Sequence, residues 1–163
     1  PTGHQPTKGS TMNEKLQEAA ENTIITAVEG GIGYWSQVKD YSHKEGQVTV
    51  TVATNEQIED AGYDFYTSAP DEATADYDPA KVEWVTITPA SIVTAWRKIA
   101  KNDHAGCINR YGNDSHIFCG GTSLKAKVIG LLTGSNDDYV DWEDSDSADN
   151  VFQLALFGKL VYG

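Results

Sequence analysis

Both cysteines of the chain and two of its four histidines fall within sixteen residues, as His104-Ala-Gly-Cys107 and His116-Ile-Phe-Cys119, so one His-x-x-Cys unit occurs twice. Two such units could give a tetrahedral zinc ion two nitrogens and two sulfurs, the short spacing bringing both ligands of each pair to one metal. A structural zinc would also supply order to the polar loop at residues 102–121. Two other readings stand beside it: free thiols with incidental histidines, and a Cys107 to Cys119 disulfide, which a cytosolic redox poise disfavours. A catalytic zinc fits less well, because four protein ligands leave no position open for water.

The remaining motifs carry less chemistry. Gly120-Gly121-Thr122-Ser123-Leu124-Lys125 opens a helix whose first amides could hold a phosphate, but it lacks Walker spacing, and a glycine turn into a capped helix explains it. The glycines at 30, 31 and 33 follow a helix, whereas a dinucleotide fingerprint needs them before one. The sequence holds no serine nucleophile elbow, no His-Glu-x-x-His and no EF-hand spacing, and its paired carboxylates lie in acid-rich loops. The stretch from Asp137 to Asp149 lacks the turn glycine and terminal glutamate of a calcium loop.

What the sequence has in quantity is negative charge. Acidic residues number 24 against 12 basic ones, a formal charge of −12, which disfavours direct binding to nucleic acid or anionic lipid and favours a basic protein surface as partner. The charge is densest at residues 55–79 and 136–150, where it is interleaved with aromatic rings. Carboxylates fixed along a surface can imitate phosphates to an enzyme with a basic groove, and aromatic side chains can anchor such a contact. The partner-binding candidates are therefore Asp64, Tyr66, Asp71, Glu72 and Asp76 in the first segment. In the second they are Asp137, Asp138, Tyr139, Asp141, Trp142, Glu143 and Asp144.

The elements that must position these groups form one α+β domain of 163 residues, long enough to bury a core without staples. Leu16, Ala20, Ile24, Ala27 and Val28 recur at helical spacing, which predicts a helix over residues 13–29 with Glu14, Lys15, Glu18 and Glu21 largely outward. Thr11 with Glu14 suggests its capping box, and Gly30 with Gly31 its stop. Residues 1–11 read as a flexible arm. Strands are expected at 32–38, 47–54 and 81–87, in a small antiparallel sheet of about three strands. A short helix is allowed at 55–61. Further helices are expected at 89–101, 122–133 and 147–157, the first of these beginning at Thr88-Pro89 and the last apolar on most sides and hence central. Residues 160–162 could add a terminal strand. No apolar run is long enough to span a membrane.

Two pieces of the chain, TAVEGGIGYWSQV and ADNVFQLALFGKLVYG, resemble a group of small acidic proteins of unknown function encoded by bacteriophages of actinobacteria, with fainter similarity through VEWVTITPASIVTAWRKIA. The segment from His104 to Cys119 departs from that pattern like an insertion. The resemblance implies a phage or prophage origin and carries over no site residue; with no membrane-length apolar run and no secretory signal pattern, the expected location is the host cytoplasm. Residues and resemblance together lead to the expectation of a non-catalytic interaction protein that binds a basic surface of a host protein, as a DNA mimic or anti-defence inhibitor. A small-molecule or nucleotide binder using Gly120 to Lys125 and the basic end of the helix at 89–101, and a structural or oligomeric particle component, are the alternatives.

Overall fold

The computed structural model describes residues 10–65, 76–101, 121–134 and 145–162. The predicted His/Cys zinc ligands His104, Cys107, His116 and Cys119 lie outside these residues, as do the phosphate-loop residues up to Gly120 and the proposed arm up to residue 9.

The first helix, α1 (Ser10–Thr26), passes directly into a π-helical turn, Ala27–Gly31. Because the helix already begins at Ser10, Thr11 lies within it and not at its cap. Ala20, Ile24 and Ala27 are buried as their spacing predicts, while Glu14, Lys15 and Glu18 are exposed. Glu21 departs from the expectation of an outward face: it is 5% exposed. Its carboxylate accepts from Gln17 Nε2 at 2.9 Å and from the Gly46 amide at 3.2 Å, so it ties the hairpin turn to the helix.

The predicted strand at 32–38 is displaced. Ile32 donates its amide to Ala27, and both Trp35 and Ser36 donate to the Ile32 carbonyl, so residues 32–35 form a turn and not the start of a strand. Strand β1 (Ser36–Ser42) follows, pairs antiparallel with β2 (Thr49–Thr54), and shifts register between Val38 and Asp40. β2 then pairs antiparallel with β3 (Val85–Ile87), giving the order β1-β2-β3. β3 is shorter than predicted because Pro79–Lys81 forms a 3₁₀ turn.

The two faces of this sheet are covered differently. Val48, Val50, Val52 and Ile87 point into the main core with Ile24, Trp35, Ile92, Trp96, Val151 and Phe152. That side is closed by α1, α3 (Pro89–Lys101) and α5 (Ser145–Phe157), which pack against one another, and α4 (Gly121–Thr133) packs on α3. Thr88 accepts from the Ser91 amide at 3.4 Å while Ser91 Oγ accepts from the Thr88 amide at 3.2 Å, capping α3 where the Thr88-Pro89 pair predicts. On the opposite face Ala53 meets Ile58, Ala61 and Val82 in a second, smaller cluster bordered by Tyr63, Phe65, Tyr77 and Trp84. The short α2 (Asn55–Asp60) builds this layer, its entry fixed by a reciprocal capping box between Thr54 and Gln57.

Gly158 ends α5 with φ +71°, a left-handed conformation that costs glycine little. The segment beyond it is not a strand. Gln153, fully buried, stands in for a partner strand: its Oε1 accepts from the amides of Val161 and Tyr162, both at 2.8 Å, and its Nε2 donates to the Tyr162 carbonyl at 3.0 Å. One side-chain amide thus satisfies three main-chain groups that a sheet would otherwise have to pair.

Candidate functional site

The polar centre of the described fold joins the two ends of the chain. Asp149, on the buried side of α5 and 7% exposed, receives three donors: Trp35 Nε1 at 2.8 Å, the Tyr34 hydroxyl at 2.9 Å and Gln153 Nε2 at 3.1 Å. Trp35 completes the link by stacking on Tyr162 at 5.1 Å with rings 6° apart, while Phe152 and Phe157 close against it at 6.3 and 5.5 Å. Burial pushes the Asp149 carboxyl above the usual value, and the donors from Trp35, Gln153 and Tyr34 pull it part of the way back. With its oxygens engaged by the protein's own groups, this carboxylate serves as a structural tie. Its neighbours are the two pieces on which the phage-protein resemblance rests, Tyr34-Trp35 from one and Asp149, Gln153 and Tyr162 from the other.

Compared with known protein families, curated proteins and solved structures, the chain matches none. The site must therefore be read from its own geometry.

Tyr34 is the surface end of this network. The residue is 58% exposed although its hydroxyl is committed to Asp149, and its carbonyl accepts from Asn55 Nδ2 at 3.2 Å. Desolvation and then the hydrogen bond to Asp149 push its phenol up to about 12. The sign follows: the folded state keeps this proton more tightly than the unfolded chain, so the associated stability holds below pH about 10 and is lost as pH rises towards 12. A spectrophotometric titration is expected to show a late-ionising tyrosine that Tyr34→Phe removes. An unchanged titration in that variant would contradict the assignment.

The carboxylate face predicted from residues 55–79 is partly in view. Glu56, Glu59 and Asp60 stand at i, i+3 and i+4 on the exposed side of α2. Asp64 is half-buried and Asp76 exposed, and the chain on either side of residues 66–75 is pinned together. The Asp78 amide donates to the Ala61 carbonyl at 2.9 Å, and Gly62, at φ +98°, lies so close that a Cβ there would sit 2.5 Å from the Asp76 carbonyl oxygen. Tyr63 packs edge-on against Phe65 at 4.7 Å and Tyr77 at 5.5 Å. Tyr66, Asp71 and Glu72 lie outside the described residues, as do Asp137, Asp138, Tyr139, Asp141, Trp142, Glu143 and Asp144.

Two further features bear on the alternatives. Among the described residues no group of three or more His, Cys, Asp or Glu side chains is placed to hold a metal ion, and no helix is long and apolar enough to cross a membrane. A groove of about 400 Å³ between α3 and α5 is lined by Thr88, Ser91, Thr94, Lys98, Leu154 and Ala155. Its hydroxyls already serve the helix: Thr94 donates to the Ala90 carbonyl at 2.9 Å, and Thr88 and Ser91 share a bond at 3.2 Å.

Sequence reasoning placed Asp149 in an acidic loop-to-helix run and Tyr34 and Trp35 on a strand, and so missed their meeting. No local pattern marks that meeting, since Tyr34 and Asp149 are 115 positions apart.

Proposed function

We propose that this protein is a non-catalytic, phage-type interaction protein whose carboxylate face binds a basic surface of a host protein in the host cytoplasm. In its sharper form, it is a DNA mimic that occupies the groove of a nucleic-acid or defence enzyme. The observation that supports this most is the excess of carboxylates in one layer. Residues 55–65 and 76–84, which form the layer outside the sheet, carry seven acids, Glu56, Glu59, Asp60, Asp64, Asp76, Asp78 and Glu83, against Lys81 alone. α3 and α4, on the other side of the sheet, carry Arg97, Lys98, Lys101, Lys125 and Lys127 and no acid, while α1, its π-helical turn and α5 on that same side carry Glu14, Glu18, Glu21, Glu29, Asp146 and Asp149. A one-signed face steers an opposite surface and holds its register.

The face is also held firmly, by the capping box of α2, by the Asp78 carboxylate accepting from the Ala80 amide at 3.1 Å, and by the close backbone approach at Gly62. Carboxylates in fixed positions can match a charge pattern where mobile ones cannot. Wild-type protein immobilised in host lysate is expected to retain a basic nucleic-acid-binding protein at low salt and release it at high salt. Reversing Glu56, Glu59 and Asp60 to lysine together is expected to weaken that binding roughly 100-fold. A wild type that retains nothing at low salt, or a triple variant that binds as well as the wild type, defeats the proposal.

A further inference from the structure

We propose that the exposed face of Tyr34 is the seat for an arginine side chain of the partner, the guanidinium stacking on the ring near the carboxylates of α2 and Asp146 at the start of α5. This rests on the acidic-surface reading above and adds to it the residue that anchors the contact and the chemistry that it selects.

Large exposed apolar side chains among the described residues are Tyr34, Val38, Ile129 and Val161, and Tyr34 is the most exposed of them at 58%. An exposed tyrosine ordinarily samples several rotamers, and ordering it on binding costs free energy. This one is already ordered. Its carbonyl is held by Asn55 and its hydroxyl by Asp149, a carboxylate itself fixed by Trp35 and Gln153, while the ring stays open to solvent. A rigid aromatic with its polar end occupied offers a partner its π face.

The surroundings select a cation for that face. Asp146, exposed on the first turn of α5, stands three residues before Asp149 and so on the same side of the helix as the carboxylate that holds the Tyr34 hydroxyl. Glu56 directly follows Asn55, whose side chain grips the Tyr34 carbonyl, and begins the exposed row Glu56, Glu59, Asp60. Tyr34 thus links the first residue of α2, through its carbonyl, to α5, through its hydroxyl. A guanidinium can lie flat on a ring and still donate from its edge to neighbouring carboxylates, whereas an ammonium is compact and strongly hydrated. The same type of contact occurs within the chain, where Lys39 Nζ stands 5.6 Å from the centre of the Trp84 ring.

The test uses the whole chain and two peptides of equal length and charge, an oligo-arginine and an oligo-lysine, titrated by calorimetry at low salt. The wild type is expected to bind the arginine peptide roughly fivefold more tightly or better. Tyr34→Phe, which keeps the ring, should keep that preference, and Tyr34→Ala should abolish it while both peptides still bind. On the unmodified protein, arginine side-chain proton resonances should move upfield under the ring current, a readout that needs no variant. Equal affinity for the two peptides, a preference that survives Tyr34→Ala, or arginine protons that do not shift, overturns the inference and leaves the acidic-surface reading standing. Failure of both peptides to bind at low salt overturns the inference and the acidic-surface reading together.

Discussion

Replacing Asp149 with alanine is expected to destabilise the fold by about 2–4 kcal/mol, a fall in Tm of roughly 5–15 °C for a domain of this size. Three donors converge on this carboxylate, and they do not suffer equally from its loss. The Tyr34 hydroxyl can turn to water, and Gln153 Nε2 keeps the Tyr162 carbonyl. Trp35 has no such recourse: it is 2% exposed and walled in by Phe152, Phe157 and Tyr162, so its indole N–H would be left buried and unsatisfied. The gain from no longer burying a carboxylate offsets part of the loss, which keeps the estimate below the sum of three charged hydrogen bonds. Urea unfolding measures it, and a loss under about 1 kcal/mol would show that the network does not hold the ends together.

Comparison with Asp149→Asn isolates the pH term. The wild-type carboxyl is raised in the fold, chiefly by burial, so the folded state binds the proton more tightly than the unfolded chain. Wild-type stability relative to the asparagine variant is then greatest below the ordinary carboxylate value of 3.8, declines as pH rises through the raised value, and is level above it. The opposite slope would mean that the three donors outweigh burial.

Gly31→Ala is expected to destabilise by about 2–3 kcal/mol, against the usual sign for a helical glycine. In an open helix the change stabilises by roughly 0.5–1 kcal/mol, because alanine has less freedom to lose. Here the new Cβ would stand 2.8 Å from the Ser145 carbonyl oxygen and 3.2 Å from Asp149 Cβ. Neither neighbour is the end of a flexible side chain, so α5 itself must shift, and with it the buried Val151, Phe152 and Leu154. Gly33→Ala is the control: a Cβ there meets nothing within 4 Å, and a change within about ±0.5 kcal/mol is expected. Equal or greater stability of Gly31→Ala in urea would remove close approach as the reason for this glycine.

These two positions show where sequence reasoning holds and where it stops. Helical periodicity located α1 to within a few residues, α3 at its observed bounds and α5 as a central helix, because burial on one or several faces leaves its mark on the chain itself. Alternation located β2, whose valines point to the core, for the same reason. Gly30 and Gly31 read locally as a stop, yet neither takes a positive φ, and both continue the helix as a π-turn. Their reason is α5, more than a hundred residues later, and no local pattern can carry it. The same holds for the residue pairs that matter most: Tyr34 and Asp149 are separated by 115 positions, and an aspartate in an acid-rich run gives no sign that it will be buried. The tail at residues 160–162 misled in a different way. A short terminal strand is the expectation there, but the tail's main-chain partner is a side chain.

The register shift between Val38 and Asp40 has a consequence for how the molecule behaves in a crowd of its own copies. β1 is an outer strand of the sheet, and a long flat outer strand invites a neighbour's strand to add to it, which is how ordered aggregates begin. Here the irregularity breaks the run after Val38, and the exposed Lys39 and Asp40 flank the break, so an incoming strand would find only short stretches on which to zip. β3, at the opposite edge, is three residues long and offers still less. Among the described residues, both borders of the sheet thus offer an incoming strand little to pair with.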